Sequence, residues 1–380
     1  MPSPHSPNRK GFFLATDERV IRPQPAVSLG PFTTLGIGGP AEWFVRATSA
    51  EHVAAAHQWC REKNLPLFVM GGGSNLVIAD SGVNGLVLQM AIGGADFAPR
   101  RNETIVRVGA GEPWDRVVAS AILHGLAGLE CLSGIPGSTG GTPIQNVGAY
   151  GQEVSDTIAD VAVFDKTTAR MTTLTRADCR FGYRTSRFKR DDGDRFVVCE
   201  VRFALRPGSP TITYPDVISH LQRSAISSPT LDDVRRAVLS IRRRKGMVID
   251  ETDADTRSVG SFFMNPVVTT DVHAGLEAAS GGTVAGFRMP DDRVKVPAAW
   301  LIEQAGFPRG YQSGRVGLSS KHPLALINRG GATARDVLEL AGQIKRRVVH
   351  RFGVSLVPEP ALVGFGDDAD VAYLTGRRGG

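Results

Sequence analysis

The chain has few cysteines and no long apolar run, and both shortages limit the kind of protein that it encodes. Only 4 of its 380 residues are cysteines, and no two of them form a Cys-x-x-Cys pair. No basic start followed by a long apolar segment precedes them, so we expect a reduced, cytoplasmic protein. No segment approaches the ~20 apolar residues that a membrane-spanning helix requires. The sequence therefore predicts neither a disulfide scaffold nor a membrane span.

Sequence signatures of zinc binding, nucleic-acid binding and internal repeats are also missing. The net charge of +6 would attract nucleic acid, a membrane surface or a polyanionic small substrate. Two basic runs, Arg242–Lys245 and Lys345–Arg347, fall in the last turns of predicted helices, where cations complement the helix dipole. We interpret them as solvated helix ends and predict no nucleic-acid partner, no metal and no obligate protein partner. A basic nucleic-acid-binding protein without catalytic activity is the alternative from another class.

Local patterns predict several elements of an α+β fold. Thr48-x-x-Glu51 is typical of a capping box that opens a helix, and the buried strand 67–70 then closes a βαβ unit. A second such unit contains strand 104–108 and helix 113–124. Residues 27–206 therefore form two similar halves, and the Pro-Gly-Ser-Pro segment at 207–210 marks a boundary. Beyond it we expect helices over 231–245 and 333–351, the latter opened by Thr333-x-x-Asp336 and ended by Gly353.

Residues 70–76, here called the first loop, read Met-Gly-Gly-Gly-Ser-Asn-Leu between two apolar strands. Three consecutive glycines weaken a strand unless the backbone must approach something closely. Successive N–H groups of such a loop can form an anion-binding concavity, which suits a diphosphate. The pattern matches neither Gly-x-Gly-x-x-Gly nor a Walker loop. A plain turn is an equally good interpretation of this loop taken alone.

Residues 133–151, the second loop, are almost all small and nearly uncharged. An exposed loop is normally richer in charge, so we expect this one to lie against a large flat ligand. Backbone amides, Gln145 and Asn146 would then contact the polar edge of that ligand. The alternative is a structural glycine-rich crossover.

The two loops resemble the FAD-binding region of the UDP-N-acetylenolpyruvoylglucosamine reductase family, and the resemblance continues along the chain. Leu35–Gly39 resembles the family's entry segment, Cys179–Ser186 its arginine loop and Gly260–Pro266 its serine loop. Ala299–Gly306 and Pro358–Pro360 complete the same order. Only about residues 1–25 and 367–380 lie outside it.

This resemblance implies an α+β fold: a two-subdomain FAD-binding fold of the vanillyl-alcohol-oxidase type plus a separate α/β substrate-binding domain. The expected division is a disordered leader over 1–25, the FAD-binding domain over 27–207 and the substrate-binding domain over 214–328. A terminal helix and strand over 333–366 would return to the FAD domain. We also expect disorder in the last few residues after Tyr373.

The implied reaction belongs to peptidoglycan precursor synthesis, with FAD and NADPH as cofactors. NADPH would reduce FAD, and the flavin would reduce UDP-N-acetylglucosamine enolpyruvate to UDP-N-acetylmuramate. The resemblance assigns contacts with FAD to residues of both loops. These are Gly71, Gly72, Gly73, Ser74, Asn75, Leu76, Ile135, Pro136, Gly137, Ser138, Thr139, Gly140, Gln145, Asn146, Gly148 and Ala149.

Three residues are the implied catalytic groups. Hydride addition to an unsaturated carboxylate leaves an enolate, which Arg184 would stabilise because a guanidinium stays charged and binds carboxylates in a planar fork. Ser261 matches the family's proton donor. Glu359 would hydrogen-bond the enolate if it is protonated, or otherwise orient the donor. Taken alone, Arg184 could be a surface arginine and Ser261 a turn or cap residue.

The substrate's UDP-sugar has its own implied contacts. Tyr214 and Lys245 correspond to the family's diphosphate contacts, and Asn265 and Gln304 to contacts with the nucleotide sugar. Tyr183, beside Arg184, is a further substrate-binding candidate. A solvated helix end remains the alternative interpretation of Lys245.

One motif departs from the family pattern. The family usually has Pro-Glu-Val-Arg at its catalytic glutamate, whereas this chain has Pro358-Glu359-Pro360-Ala361. The charge environment of Glu359 must therefore come from other residues.

Within the same flavin-fold superfamily, an oxidase that uses molecular oxygen is the alternative enzyme. Many such oxidases bind flavin covalently through His or Cys, and neither residue flanks the first loop.

Overall fold

The computed structural model describes residues 20–190, 192–289 and 291–376. The helices are α1 (Ala50–Lys63), α2 (Trp114–Leu123), α3 (Pro215–Arg223), α4 (Leu231–Arg244), α5 (Thr270–Ser280), α6 (Ala298–Gln304), α7 (Ala334–Phe352) and α8 (Ala369–Thr375). The strands are β1 (Gln24–Ser28), β2 (Pro40–Ala47), β3 (Leu67–Met70), β4 (Leu76–Ile78), β5 (Val83–Met90), β6 (Ala95–Pro99), β7 (Thr104–Gly109), β8 (Leu126–Ala127), β9 (Gly148–Ala149), β10 (Gln152–Glu153), β11 (Ile158–Asp165), β12 (Arg170–Thr175), β13 (Phe196–Pro207), β14 (Ser258–Ser261), β15 (Val267–Thr269), β16 (Phe287–Arg288), β17 (Arg293–Lys295), β18 (Gln312–Ser313), β19 (Val316–Leu318), β20 (Ala325–Asn328) and β21 (Ala361–Val363).

The first sheet has the strand order β1-β2-β5-β3, and β5 pairs in parallel with both β2 and β3. Helix α1 makes the crossover, so the first βαβ unit is confirmed. Its predicted cap is wrong by one residue. Ser49, which has extended backbone, accepts the hydrogen bond from the amide of His52, so the helix begins after Ser49 and not after Thr48.

The second sheet is antiparallel, which contradicts the expected second βαβ unit. Strands run in the order β12-β11-β13-β7-β6, and β7 pairs antiparallel with both of its neighbours. After β7, helix α2 leads to β8, which pairs with β13 and not with β7. The short connection between β6 and β7 favours a hairpin, whereas a parallel pair needs a crossover. Residues from both sheets, α1 and α2 form one hydrophobic cluster.

The second half of the chain builds two smaller sheets, β14-β20-β19-β18 and β15-β17-β16. Helix α7 packs in the same hydrophobic cluster as α6, β19 and Leu35. Its predicted capping box is confirmed, since Thr333 and Asp336 hydrogen-bond each other's backbone amides, and Gly353 ends the helix at φ +66°. Strand β21 pairs in parallel with β4 of the first half. The domain boundaries near 207, 214 and 328 stay a prediction.

The ordered chain is longer at both ends than the sequence predicts. Gln24 and Pro25, assigned to a disordered leader, pair with Phe44 and Trp43 of β2, because backbone hydrogen bonds in a sheet do not require apolar side chains. At the other end Leu374 is completely buried. Residues 1–19 and 377–380, where the remaining predicted disorder falls, lie outside the described residues.

The basic run at the end of α7 is only partly solvated. Lys345 is 4% exposed, and its Nζ donates hydrogen bonds of 2.8 Å to the carbonyls of Tyr373 and Leu374. This lysine therefore fastens α8 to α7, which corrects its interpretation as a solvated residue.

All four cysteines are free and buried. No helix within the described ranges is long and apolar enough to cross a bilayer.

Candidate active site

The three glycines of the first loop join β3 to β4, and two of them, Gly71 and Gly72, lie directly against the second loop. A Cβ atom on Gly72 would lie 2.9 Å from the Cα of Gly137. Gly73 has φ +63°, and a Cβ there would collide with the carbonyl of Phe32. A Cβ on Gly71 would likewise collide with the Ser138 hydroxyl. Close backbone packing therefore requires glycine along this loop.

Two polar side chains of the first loop fasten it to the second loop. The Ser74 hydroxyl donates to the carbonyl of Pro136 over 3.1 Å. The Asn75 amide donates to Gln145 Oε1 over 3.0 Å. The next residue, Leu76, already belongs to β4. The structure thus brings both loops into one continuous surface.

Part of the second loop is anchored to the segment that joins β7 to α2. Thr139 N donates to the carbonyl of Glu112 over 2.9 Å, and Gly140 N donates to Ala110 O over 2.8 Å. These two amides hold the loop and are not free for a ligand. Ile135 packs against the large hydrophobic cluster of the first half.

Asn146 has a different position from the one expected. It is 1% exposed, and its Nδ2 donates to Glu153 Oε2 over 2.7 Å and to Gly182 O over 3.2 Å. Its Oδ1 accepts a hydrogen bond from Ser155 N. Since these atoms have protein partners, Asn146 fastens the arginine loop (residues 179–186) to the second loop. Gly148 and Ala149 pair with β10, so they too contribute to the framework.

The arginine loop ends in a tight turn that presents Tyr183 and Arg184. Gly182 and Thr185 exchange backbone hydrogen bonds of 3.0 and 3.2 Å across this turn. Arg184 has φ +51°, in the left-handed region that few non-glycine residues adopt. Such strain persists only where the surroundings enforce it. The Ser186 hydroxyl, bonded to Ile144 O over 2.5 Å, supplies part of that constraint.

Glu359 lies between the first loop and the serine loop (residues 260–266). Its amide donates to the carbonyl of Phe262 over 2.8 Å, and its own carbonyl accepts from Asn75 Nδ2 over 3.4 Å. Phe262 directly follows Ser261, so Glu359 is held one residue from the predicted proton donor. Glu359 Oε1 lies 3.5 Å from Arg184 Nε. The three predicted catalytic residues therefore come from segments that meet beside the two loops.

Lys189 is a further cation at this point that the sequence analysis did not single out. Its Nζ donates to the carbonyl of Arg184 over 3.4 Å. Burial among the surrounding atoms lowers the pKa of Lys189, and the charge of Glu359 opposes that effect. Lys189 thus supplies positive charge near Glu359, where the family's usual arginine is absent. In the sequence, only its position five residues after Arg184 indicated that Lys189 could lie near this site.

Tyr214 and Lys245, predicted to bind a diphosphate, are brought together. Tyr214 precedes α3 and Lys245 follows α4. The rings of Tyr150 and Tyr214 pack edge to face with their centroids 5.3 Å apart, and Lys245 Nζ lies 5.9 Å from the Tyr150 ring. Burial raises the pKa of Tyr214. Lys245 also forms an ion pair of 2.9 Å with Asp216, so it is not merely a solvated helix end.

Asn265 and Gln304 both make contacts at the ends of α6. The Asn265 Oδ1 accepts a hydrogen bond from the amide of Ala298 over 2.9 Å, which caps α6. Gln304 is an exposed residue at the end of α6, and its carbonyl accepts a hydrogen bond from Arg351. No contact recorded among the described residues joins either one to Lys245 or Tyr214. Their substrate-binding roles stay predictions.

Arg242 is an inward-pointing residue that the sequence analysis placed in a solvated basic run. Its Nη2 donates to Met247 O over 2.7 Å. Its Nε is sealed from solvent without a hydrogen-bond partner in the described part of the chain. Burial lowers the pKa of Arg242, although the nearby Tyr150 and Asp115 oppose this. A Cβ on Gly134, in the second loop, would lie 3.5 Å from that Nε.

Lys295 of β17 reaches the arginine loop from the second half of the chain. Its Nζ lies 4.7 Å from the centroid of the Tyr183 ring. Burial raises the pKa of Tyr183. Cations from several elements therefore surround the region, as binding of a polyanionic ligand requires.

Across residues 20–190, 192–289 and 291–376, no group of three or more His, Cys, Asp or Glu side chains is placed to bind a metal ion.

Comparisons with known proteins show the family to which this chain belongs. Residues 41–174 match a family model described as an FAD binding domain, and residues 251–363 match the C-terminal domain of UDP-N-acetylenolpyruvoylglucosamine reductase. The UDP-N-acetylenolpyruvoylglucosamine reductase of Thermobifida fusca is 47% identical over 347 residues, covering 89% of this chain and 97% of the relative. That of Mycobacterium tuberculosis is 48% identical over 355 residues, covering 89% and 95% respectively.

A solved structure shows the same fold. The UDP-N-acetylenolpyruvylglucosamine reductase of Thermus caldophilus is 26% identical, with a TM-score of 0.61, and the match covers 91% of this chain and all of that one. The predicted class, an FAD-binding fold of the vanillyl-alcohol-oxidase type with a second α/β part, is confirmed. The chain therefore belongs to the UDP-N-acetylenolpyruvoylglucosamine reductase family and is a flavin-dependent oxidoreductase.

Proposed function

We propose that this enzyme uses NADPH, through FAD, to reduce UDP-N-acetylglucosamine enolpyruvate to UDP-N-acetylmuramate in cytoplasmic peptidoglycan precursor synthesis. The observation that carries the proposal is the meeting of three segments beside the glycine loops. Arg184 and Glu359 lie 3.5 Å apart there, and the Glu359 amide is bonded to the residue after Ser261. A cation, a carboxylate and a hydroxyl-bearing residue are the groups that reduction of an enolpyruvyl carboxylate needs.

The residues present fit FAD as the cofactor. The two loops form a glycine-lined surface on which a side chain at Gly72 would meet backbone atoms 2.9 Å away. Gln145, whose Oε1 accepts a hydrogen bond from the Asn75 amide, and the backbone amides of the first loop would contact the cofactor. When bound, FAD supplies hydride transfer between NADPH and the enolpyruvyl group.

Arg184 binds the carboxylate of the enolpyruvyl group and stabilises the negative charge that develops on it. The charge increases when hydride reaches the β-carbon, so a cation already fixed in place lowers the barrier without reorganisation. The turn between Gly182 and Thr185 and the hydrogen bond from Lys189 to the Arg184 carbonyl hold the backbone of Arg184. Glu359 Oε1, 3.5 Å from Arg184 Nε, helps to hold the guanidinium. Lys189 adds a second positive charge.

Ser261 donates a proton to the α-carbon of the enolate and so completes the lactyl ether. A serine hydroxyl is a weak acid, but an enolate is a strong enough base to take its proton. Ser261 is the last residue of β14 and pairs with Ala325, while Phe262 N bonds to Leu324 O over 2.8 Å. These bonds fix the backbone position of Ser261.

Glu359 orients these groups. Its side chain pairs with Arg184, and its backbone connects the serine loop to Asn75 of the first loop. Of the two roles that the sequence left open, these contacts support positioning of the cation and the donor. Tyr214 and Lys245 bind the diphosphate, and Tyr183 contacts the substrate beside Arg184.

The proposal is tested by measuring NADPH consumption by the FAD-loaded enzyme without oxygen. We expect oxidation of one NADPH for each enolpyruvyl sugar added, with a product two hydrogens heavier than the substrate by mass spectrometry. Oxidation of NADPH that does not depend on the sugar would contradict the proposal.

A further inference from the structure

The arginine loop is closed at its base by a backbone hydrogen bond. Arg187 N donates to the carbonyl of Cys179 over 2.8 Å, and Cys179 is completely buried in the hydrophobic cluster of the first half. Arg184, whose backbone has φ +51°, lies three residues before Arg187. A left-handed residue of this kind keeps its conformation only where its surroundings hold it. The contacts that hold Arg187 therefore influence the position of Arg184.

Asp192 engages both the backbone and the side chain of Arg187. The amide of Asp192 donates to the Arg187 carbonyl over 3.2 Å, and Arg187 Nε donates to Asp192 Oδ2. Only 19% of the arginine side chain and 17% of the aspartate side chain are exposed. A charge-assisted hydrogen bond that is largely shielded from water holds its partners more firmly than an exposed ion pair does. The guanidinium of Arg187 thus has a defined position.

An aromatic ring at the start of β13 supports the same guanidinium. Arg187 Cζ lies 5.1 Å from the centroid of the Phe196 ring, and Arg195 Cζ lies 4.7 Å from it. Arg195 in turn donates two hydrogen bonds, of 3.1 and 2.8 Å, to Asp165 at the end of β11. A guanidinium over an aromatic ring makes a cation–π contact, and its planar shape suits stacking. The base of the arginine loop is therefore connected to two strands of the second sheet.

The residues on either side of Arg187 face the protein interior. Ser186 is completely buried, and its hydroxyl donates to Ile144 O over 2.5 Å. Phe188 is 5% exposed, and its ring packs edge to face against Phe196 with the centroids 6.3 Å apart. The segment that follows Arg184 is thus held by the second loop, by the core and by the contacts of Arg187.

We propose that Arg187 is a positioning residue, which acts through the base of the arginine loop to keep the Arg184 guanidinium aligned with the carboxylate of the substrate. The proposal rests on the proposed function for the role of Arg184. Arg187 itself does not contact the substrate, because its guanidinium is engaged by Asp192 and Phe196. A misplacement of about 1 Å can cost about 100-fold in rate. Loss of the Arg187 contacts should therefore slow the step in which Arg184 acts.

The first experiment compares Arg187→Met with a matched control, Arg202→Met. Arg202 of β13 forms an ion pair with Asp160 of β11, and 29% and 22% of these side chains are exposed. Both variants should lower Tm by similar amounts. Stopped-flow absorbance of the FAD-loaded enzymes should show reoxidation by the enolpyruvyl sugar slowed about 10- to 100-fold in Arg187→Met. We expect that step in Arg202→Met, and flavin reduction by NADPH in both variants, to stay within about twofold of the unmodified rates.

The second experiment asks whether Arg187 acts through Arg184. Arg187→Met is introduced into Arg184→Ala, where the group that it positions is absent. The second substitution should then change reoxidation by less than about twofold, because the two losses share one cause. Arg187→Lys, which keeps the charge opposite Asp192 but not the planar guanidinium, should restore part of the rate that Arg187→Met loses.

The outcomes separate positioning from general stability and from the proposed function. Equal slowing of reoxidation in Arg187→Met and Arg202→Met overturns the role of Arg187, as does a full additional loss in the Arg184→Ala background. If Arg187→Met does not fold, Asp192→Asn carries the same comparison, with Asp160→Asn as its control. If the sugar does not reoxidise the flavin of the unmodified enzyme, the proposed function falls as well.

Discussion

At the scale of single residues, the proposed mechanism depends on a hydroxyl placed where an enolate would form. Ser261 lies at the end of β14, and the adjacent Phe262 is bonded both to Leu324 and to Glu359. Its proposed role belongs only to the second half of the reaction, because no proton is needed at the α-carbon until hydride has been added. The two half-reactions can therefore be affected separately.

Replacing Ser261 with alanine should slow reoxidation of the flavin by the enolpyruvyl sugar about 10²- to 10⁴-fold, the usual contribution of a general acid. Reduction of the flavin by NADPH should stay within about twofold of the unmodified rate. Stopped-flow absorbance measures both steps, and Ser280→Ala on the exposed end of α5 is the control. Equal losses in both steps would contradict a proton-donor role.

Asp216 occupies Lys245 in the absence of a diphosphate, so it should compete with the substrate. Asp216→Asn frees the ammonium group, and we expect KM for the sugar to fall by at most about fivefold, since this exposed ion pair is weak. Asp232→Asn, which breaks an exposed ion pair with Arg236 on α4, is the matched control. A raised KM in Asp216→Asn would show that Asp216 assists binding.

The positions of residues were predicted well where a motif identifies them and poorly where burial decides, while their roles stay predictions. Arg184 and Glu359 were predicted from their motifs, and their segments do meet. Arg242 was assigned to a solvated run because its neighbours in sequence are basic, yet its Nε points inward. Asn146 was expected to face a ligand, but its partners Glu153, Ser155 and Gly182 only approach it in the folded chain.

At the scale of elements, the two glycine loops act as one unit. Their backbones approach so closely that Gly72 and Gly137 leave no room for a methyl group between them. Hydrogen bonds from Ser74 to Pro136 and from Asn75 to Gln145 fix their relative position. A change at the contact should therefore disturb cofactor binding more than a change elsewhere in either loop.

Gly72→Ala should reduce the retention of FAD, because its Cβ would lie 2.9 Å from Gly137 Cα and the loops would have to separate. Gly141→Ala, in the same second loop, adds a methyl group with no atom within 4 Å and should retain the flavin. The ratio of flavin to protein absorbance after gel filtration measures this difference. Equal retention by the two variants would contradict the proposed cradle.

Helix ends show which element features the sequence can predict. The capping box of Thr333 and Asp336 is local, and it was predicted correctly for α7. The same helix has a second cap that pattern alone could not indicate. Asp80, 254 residues away, accepts a hydrogen bond from the amide of Ala334 over 2.8 Å. The antiparallel pairing of β7 with β13 was missed for the same reason, since these two strands are distant in sequence.

At the scale of the whole molecule, the two halves of the chain are tied together at the active site. Strand β21 pairs with β4 directly after the first loop, and Glu359 lies two residues before it. Hydrophobic residues Leu35, Ile37 and Val77 of the first half pack in the same cluster as α7. The arrangement of the proposed catalytic groups therefore depends on a contact between distant parts of the sequence.

One cleft should receive both NADPH and the enolpyruvyl sugar, because both must approach the same reactive position of the flavin. The two ligands then alternate, and double-reciprocal plots at several fixed concentrations of the second substrate should give parallel lines. Steady-state kinetics of the FAD-loaded enzyme provides the measurement. Lines that converge would indicate that both ligands bind at once.

The central claim is that the two glycine loops hold FAD where Arg184, Ser261 and Glu359 act on an enolpyruvyl sugar. Its most direct test is to reduce the enzyme with NADPH, remove oxygen and mix it with UDP-N-acetylglucosamine enolpyruvate in a stopped-flow instrument. We predict rapid return of the oxidised flavin absorbance, with one sugar reduced for each flavin. A flavin that NADPH reduces but that stays reduced in the presence of the sugar would contradict the account.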